Sequence, residues 1–303
     1  MKFLVIGHLC LDVIHPVDGS EFQSYGGIYY TVATLASLLN NGDRVIPVFG
    51  VNKNDYEPLM GHLKQFPNVD TSGIFQFDEP TNNVHLFYKD AESRIECSKD
   101  ISKPIPFEKI KDFLKVDGIL VNMISGFDIA VNTLDEVRMA VREKKVPMHF
   151  DYHSLTLGVH ENHERFRRPV VDWRRWVFMT DTVQLNEEEI AGLTVEQSTE
   201  QQTVGHLLTL GGKGLIVTRG ERGASLFQNE HKKVIRTDIP GLRVERPRDA
   251  TGCGDVFGAA FHLHFVKTKD MLAAAEFANK VAAKKATMIG SDNIQSLREV
   301  LSP

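Results

Sequence analysis

Short runs of residues that are apolar at successive positions recur along the chain, and they constrain the fold more than any other feature. The runs are rich in Val, Ile and Phe and occupy residues 2–7, 44–51, 118–125, 147–153, 183–186 and 214–220. Strands that are apolar on both faces suit a parallel sheet covered by helices on both sides. Segments with helical spacing lie between the runs, such as "GIYYTVATLASLLNNG" and "STEQQTVGHLLTLG". This alternation predicts an α/β fold with a doubly wound, mostly parallel sheet flanked by helices.

Two segments depart from this alternation of strands and helices, at residues about 9–25 and about 75–100. In both, polar and apolar residues alternate with little helical periodicity, as in "TNNVHLFYKDAESRIECS". Such alternation is typical of antiparallel strands with one face in water. The two segments are therefore expected to form a small β-sheet lid that covers a cleft. No linker or repeat divides the 303 residues, so a single domain over residues 1–303 is expected.

Charge and cysteine content exclude several classes of partner. The chain has 35 Lys and Arg against 40 Asp and Glu, which gives a net charge of −5 and argues against nucleic acid or a membrane surface as a partner. Its three cysteines, Cys10, Cys97 and Cys253, form no CxxC pair and no disulfide framework. No run approaches the roughly 20 apolar residues of a membrane span. A reducing cytoplasm is the expected setting.

The stretch "DATGCGDVFGAAF", residues 249–261, combines flexible backbone with a carboxylate at the start of a helix. Gly252 and Gly254 can point successive N–H groups at one spot, and the N-terminus of the following helix adds partial positive charge. A carboxylate at Asp255 would repel a bound phosphate, but it can remove a proton from an attacking hydroxyl in phosphoryl transfer. A plain strand-to-helix turn with Asp255 as helix cap is the alternative reading of the same residues.

This stretch resembles the C-terminal signature of the ribokinase family, also called the PfkB carbohydrate kinases. The resemblance extends to other motifs, which follow the family order over nearly the whole chain. They are "GHLCLDVI" from Gly7, "YGGIYYTVATLASLL" from Tyr25, "NEEE" at 186–189, "VTRGERGASLF" at 217–227 and "FANKVAAKKATMIG" at 277–290. The resemblance implies a kinase that uses ATP and Mg²⁺.

The resemblance also implies roles for residues at the catalytic and nucleotide sites. Asp255 would be the catalytic base, with Gly252, Cys253 and Gly254 as the anion hole. Residues on the nucleotide side would be Asn186, Glu189, Thr218, Gly220, Gly223 and Asn279. Among these, Asn186 and Glu189 would act on Mg²⁺ and its waters, because this ion prefers oxygen ligands, and Asn279 would lie near the adenine. Asp249 is a candidate ligand for K⁺, since family members often bind a monovalent cation there.

On the acceptor side, the resemblance implies that Asp12 bonds substrate hydroxyls and that Gly26 and Gly27 let the backbone approach the substrate. Thr31 stands where many members carry asparagine, which indicates a changed substrate pocket. The usual D-x-N-x-R segment is similarly altered, to "DYHSL" from Asp151.

Two alternatives remain open beside a sugar kinase. A nucleoside kinase of the same family is one, because Phe22, Tyr29 and Tyr30 could stack on a base. A non-catalytic ligand-binding member of the family is the other, which the change at Thr31 favours and the intact Asp255 opposes. The chain has no G-x-x-x-x-G-K-[ST] motif, and no G-x-G-x-x-G follows the first run, so P-loop kinases and dinucleotide enzymes are disfavoured.

The sequence thus predicts an ATP-dependent kinase that transfers a phosphoryl group to a hydroxyl of a small sugar or sugar-like molecule. Closure of the lid would exclude water from the reaction. The edges of an exposed lid sheet are unpaired, so a homodimer formed through two lids is a further hypothesis.

Overall fold

A large central sheet and a smaller separate sheet organise the chain. The computed structural model describes residues 1–17, 19–89, 94–193, 198–230 and 233–301. In chain order the strands are β1 Lys2–Ile6, β2 Leu9–His15, β3 Phe22–Gly27, β4 Arg44–Asn52, β5 Ile74–Phe77, β6 Asn83–Tyr88, β7 Arg94–Lys99, β8 Gly118–Asn122, β9 Met148–Asp151, β10 Leu157–Val159, β11 Arg165–Arg167, β12 Thr182–Asn186, β13 Gly214–Thr218, β14 Gly223–Glu230 and β15 Lys233–Pro240. The helices are α1 Ile28–Leu38, α2 Lys53–Leu63, α3 Val131–Val141, α4 Trp173–Phe178, α5 Glu187–Ala191, α6 Glu200–Thr209, α7 Cys253–Thr268 and α8 Met271–Lys285.

Within the described residues, the large sheet has nine strands in the order β15-β14-β13-β12-β9-β8-β1-β4-β5. All neighbours from β5 to β13 run parallel, and β14 and β15 continue the sheet as antiparallel strands. Phe3, Leu4, Val5 and Ile6 of β1 are fully buried, so both faces of this strand are covered. The prediction of a doubly wound, mostly parallel sheet flanked by helices is therefore confirmed.

The small sheet has the strand order β3-β2-β6-β7 among the described residues. The pairs β2–β3 and β6–β7 are antiparallel, as the alternating sequences indicated, but β2 and β6 pair in parallel. The parallel pair arises because the chain leaves the small sheet after β3, passes through the large sheet and enters again in the same direction. Residues 74–77, at the start of the second alternating segment, form β5 at the edge of the large sheet.

The helix after the glycine-rich motif is largely buried. It is α7, which packs against both α1 and α8. Every residue of α1 is buried, and so are most residues of α7, because the two helices contact each other as well as the sheet. This packing brings the start of α7 against the start of α1, where the small sheet also joins the core. In the described part of the chain, no helix has both the length and the apolar character that crossing a membrane requires.

Candidate active site

The chain enters α7 through a glycine in a left-handed conformation. Gly252 has a φ of 78°, which side-chain-bearing residues rarely adopt. A β-carbon at this position would lie only 2.6 Å from Cδ1 and Cγ of Tyr30, whose ring is buried at the start of α1. Gly252 therefore serves two purposes: it turns the chain into the helix, and it lets an aromatic ring pack directly on the backbone.

The backbone N–H groups in the first turn of α7 differ in their availability. The N–H of Cys253 donates to the carbonyl of Ala250 at 3.1 Å, and that of Val256 donates to Gly252 at 2.9 Å. Over the described ranges, no acceptor is recorded for the N–H of Gly254. Since a helix N-terminus carries partial positive charge, Gly254 is better placed than Cys253 to bind an anion.

Asp255 follows in the first turn of α7 and is only 5% exposed. The side-chain amide of Asn122, at the end of β8, lies 3.5 Å from its Oδ1. Gln184 on β12 steadies the same turn, because its Nε2 donates to the carbonyl of Gly254 at 2.9 Å. Side chains from two strands of the large sheet thus support the helix start that carries the acid.

A cluster of buried carboxylates surrounds one histidine. Asp255, Asp151 at the end of β9 and Glu189 in α5 are all at least 95% buried, and burial raises the pKa of each carboxyl group. The nearby His153 acts in the opposite direction and lowers those pKa values. Burial alone would lower the pKa of His153, but Asp255, Asp151 and Glu189 outweigh it and raise that pKa. The cluster therefore favours a protonated His153 among negative charges.

The glycine pair explains how Asp12 is accommodated on the small sheet. Asp12 on β2 is opposite Ser24 on β3, and a β-carbon at Gly26 would collide with the Asp12 carboxylate. Gly27 has a φ of 60°, and a β-carbon there would lie 2.6 Å from the Ile124 side chain. The missing side chain at Gly26 lets the Asp12 carboxylate lie against the backbone just before α1, and the missing side chain at Gly27 lets the chain pass close to Ile124.

A cavity of about 70 Å³ joins these features into one site. Asp12 and Gly27 line it from the small sheet, and Gly252 and Asp255 line it from the start of α7. Thr31 does not line this cavity: its side chain is fully buried within α1, and its hydroxyl has no partner among the described residues. Its neighbour Tyr30 lines the cavity instead.

Asn186 and Glu189 form a reciprocal cap at the start of α5. The Asn186 side chain accepts a hydrogen bond from the Glu189 N–H, and the Glu189 carboxylate accepts from both the N–H and the side-chain amide of Asn186, each at 2.7 Å. Both carboxylate oxygens are therefore engaged by Asn186, although each keeps a second lone pair. This geometry suits contact with a hydrated Mg²⁺ better than direct coordination.

The other residues assigned to the nucleotide side lie beyond this cap. Thr218 ends β13 beside Asn186, since the two residues pair in the parallel register of β12 and β13. Gly220 and Gly223 follow in a short turn, both with positive φ. Asn279 lies on α8, and its amide donates to the carbonyl of Pro240 at 2.8 Å. Thr218 and the glycines are thus near one another, whereas Asn279 approaches them from α8 across the end of β15.

Asp249 connects the motif loop to the segment that follows α8. Its Oδ1 accepts from the Thr251 N–H and its Oδ2 from the Gly290 N–H, each at 2.8 Å.

Lys285, the last residue of α8, is fully buried, and its Nζ lies 5.5 Å from the centre of the Tyr30 ring. The described residues include no hydrogen-bond partner for this Nζ.

Several residues of the site were not identified from the sequence. His153, Asn122, Lys285 and Glu96 on β7, which lines the cavity, were not assigned to the site. Tyr30 was considered only as a ring that could stack on a base. The altered "DYHSL" segment was the one available signal, and it contains His153. The remaining residues belong to ordinary strand or helix patterns, and only the fold brings them to the motif.

Known carbohydrate kinases resemble this chain in sequence. Residues 167–297 match the profile of the pfkB family carbohydrate kinases. The chain is 36% identical to the ribokinase of Bacillus subtilis over 308 residues, which cover 95% of this chain and 93% of that protein.

The fold is also that of solved kinases. A pyrophosphate-dependent kinase in the ribokinase family has a TM-score of 0.78 with 19% identity, covering 99% of each chain. A protein from E. coli, provisionally assigned as ribokinase II and solved with ATP and Mg²⁺, has a TM-score of 0.77 with 19% identity, covering 99% of this chain and 98% of that chain. The solved structures show only a shared fold, whereas the 36% identity to ribokinase over nearly the whole chain shows a shared family. Together with a buried acid at the start of α7, it shows that this chain belongs to the pfkB family of carbohydrate kinases, which are phosphotransferases with an alcohol group as acceptor.

Proposed function

We propose that the chain transfers the γ-phosphoryl group of ATP to a hydroxyl of a small sugar or sugar-like polyol. One observation carries this proposal: Asp255, at the start of α7, and Asp12, on the small sheet, line the same small cavity. A base next to an anion-binding helix start suits the reaction centre, and a second carboxylate opposite it suits a ligand that offers several hydroxyl groups.

In this proposal Asp255 is the catalytic base. Burial raises the pKa of its carboxyl group, which makes the carboxylate a better proton acceptor than an exposed aspartate. It takes the proton of the acceptor hydroxyl while that oxygen attacks the phosphoryl group. The N–H of Gly254 and the positive end of α7 then stabilise the negative charge on the transferred group. Gly252 contributes to the anion site through its backbone conformation, which turns the chain into α7. Cys253 contributes through its position in the first turn of that helix.

The acceptor would lie between Asp12 and Asp255. The glycine pair supports this, because Gly26 and Gly27 keep the wall beside Asp12 free of side chains. Tyr30 is packed on Gly252 and is therefore not free to stack on a base in the manner that a nucleoside kinase would need.

The donor would occupy the side of the site formed by Asn186, Glu189, Thr218, Gly220 and Gly223, with Asn279 toward the adenine. The donor set fits Mg²⁺, because Glu189 offers carboxylate oxygens whose second lone pairs can bind the waters of the ion. The ion would neutralise charge on the donor phosphates when it is bound. A requirement for K⁺ at Asp249 remains a separate prediction. It is tested by measuring activity with and without K⁺.

The test is product formation from a panel of polyols, sugars, sugar phosphates and nucleosides, each supplied with Mg²⁺ and either ATP or pyrophosphate. The pyrophosphate arm is included because a kinase of this fold uses that donor. Asp255→Asn should lower kcat by roughly 100-fold or more, and Asp112→Asn, at an exposed position, should leave it unchanged. Turnover with pyrophosphate alone would refute the donor assignment. Equal turnover by wild type and Asp255→Asn would refute the base.

The small sheet would act as a lid within one domain that spans the whole chain, and two lids would pair in a homodimer. The face of the sheet away from the cavity supports this, since it carries His15, His85 and the 41% exposed Phe87, whose rings stack on one another. A monomeric mass at micromolar concentration would refute the dimer. The three cysteines are free, which supports a reducing compartment such as the cytoplasm.

A further inference from the structure

His153 is held at the cavity by a strained backbone. It follows β9, lines the cavity together with Asp255, and has a φ of 31°. Such values are uncommon for residues other than glycine and are strained, so they persist only where neighbouring contacts impose them. The contacts are present here: the N–H of Ser154 donates to Met123, and that of Tyr152 donates to Gln184. The fold therefore holds this side chain in place at a conformational cost.

The two ring nitrogens of His153 have different environments. Nδ1 lies 2.8 Å from the hydroxyl of Ser154, which sets the orientation of the ring. For Nε2, by contrast, the described residues provide no hydrogen-bond partner. A ring fixed through one nitrogen at the wall of a cavity leaves the other nitrogen available to a bound group.

The cavity wall is rich in carboxylates, and His153 stands out in it as a group that can be positively charged. Asp12, Glu96 and Asp255 line the cavity, whereas its described lining includes neither lysine nor arginine. Asp255, Asp151, Glu189 and Glu96 all raise the pKa of His153 against the effect of burial. His153 is thus the one residue of the described lining that can carry positive charge near neutral pH.

A phosphoryl group in transfer carries negative charge on its three equatorial oxygens. Three carboxylates in the cavity wall oppose that charge, and the helix start offsets only part of it. We propose that His153 is a catalytic residue whose Nε2 donates a hydrogen bond to an oxygen of the phosphoryl group during transfer. This proposal rests on the proposed kinase reaction and adds a cation that the signature motif does not contain.

The step balances without a further reactant. The acceptor oxygen forms a bond to the γ-phosphorus, the bond from that phosphorus to the bridging oxygen breaks, and ADP leaves. The acceptor proton goes to Asp255. His153 keeps its proton throughout and contributes only charge and a hydrogen bond.

The first test compares wild type with His153→Gln, which keeps an N–H donor but has no charge. We expect kcat to fall by roughly 100-fold while KM for the acceptor changes by less than about 3-fold. The matched control is His206→Gln, an exposed histidine on α6, which should behave as wild type. An unchanged kcat would overturn the proposal, and so would a higher KM with unchanged kcat, because the ring would then hold the acceptor.

A second measurement separates this proposal from the proposed function. Binding of inorganic phosphate is measured by calorimetry for wild type, His153→Gln and His153→Asn; the last is included because asparagine tolerates positive φ and protects against a folding defect. We expect both variants to bind phosphate at least tenfold more weakly than wild type. Should no acceptor give turnover while this loss is seen, the kinase reaction fails and the anion contact stands. Equal phosphate binding by all three proteins, or none by wild type, would overturn the contact.

Discussion

Replacing Gly252 with alanine tests the packing on which the catalytic helix depends. The added β-carbon would lie 2.6 Å from two atoms of the Tyr30 ring, and that ring is only 1% exposed, so it cannot move into solvent. Adding atoms to a packed core costs about 1–3 kcal/mol. An alanine at a φ of 78° costs a further ~1–2 kcal/mol. We therefore expect Gly252→Ala to lower the free energy of unfolding by about 2–5 kcal/mol.

The control for this prediction is Gly220→Ala. Gly220 also has a positive φ, 58°, but a β-carbon there would meet no atom within 4 Å. Gly220→Ala should therefore lower the free energy of unfolding only by the cost of the backbone conformation, about 1–2 kcal/mol. The difference between the two variants isolates the contact with Tyr30.

The assay is urea unfolding followed by the fluorescence of the two tryptophans, Trp173 and Trp176, which are both buried. In a third protein, Gly252→Ala combined with Tyr30→Leu, the smaller side chain should make room for the β-carbon, so the two losses should not add. The reasoning is refuted if Gly252→Ala costs no more than Gly220→Ala, or if the double variant shows simple additivity.

Two further predictions concern buried charges. Lys285→Met should raise the free energy of unfolding by about 1–4 kcal/mol, because the Lys285 ammonium is fully buried and no described residue accepts a hydrogen bond from it. Urea unfolding checks this against the exposed Lys280→Met, and a less stable Lys285→Met would contradict it. Asp181→Asn should cost about 3 kcal/mol at neutral pH, because the carboxylate accepts hydrogen bonds from the Met148 N–H and from Arg138 and lies 2.8 Å from the Lys213 ammonium. The same contacts outweigh burial and lower the pKa of Asp181, so its stabilising effect exists above the unfolded pKa and disappears as pH falls through the folded value. Unfolding measured from neutral pH down to about pH 3 should show the difference between the two proteins begin to shrink as pH falls below about 4; a difference that is constant with pH would contradict it.

The central strands were predictable because burial on both faces leaves a strong signal in the sequence. β1 and β8 are each apolar at all positions but one, Lys2 in β1 and Asn122 in β8, and the structure buries the apolar positions completely. β15 gave no such signal, since most of its residues are exposed at the edge of the sheet. An edge strand is specified by its pairing with β14, and periodicity within one segment does not contain that information.

The start of α7 was predictable for a similar reason. Two glycines and an acid before an apolar helix are local features, and Gly252 adopts the positive φ that they indicate. The environment of this helix was not predictable. Thr31 was expected at the acceptor, but α1 buries it and presents Tyr30 to the cavity, because residues on neighbouring helix positions point about 100° apart. The sequence was enough to predict that the start of α1 lies near the site, but the packing of the helix determines which of its residues lines the cavity.

By itself, the sequence determined the α/β architecture, the helix start that can bind an anion, and the acid beside it. Each of these depends on residues that are close in the chain, where backbone preference and apolar periodicity act directly. Tertiary structure alone decided that Asp12, His153 and Asp255 share one cavity, and that several carboxylates surround a single histidine. Electrostatic effects depend on distance and burial, and for residues so far apart in the chain, folding sets both.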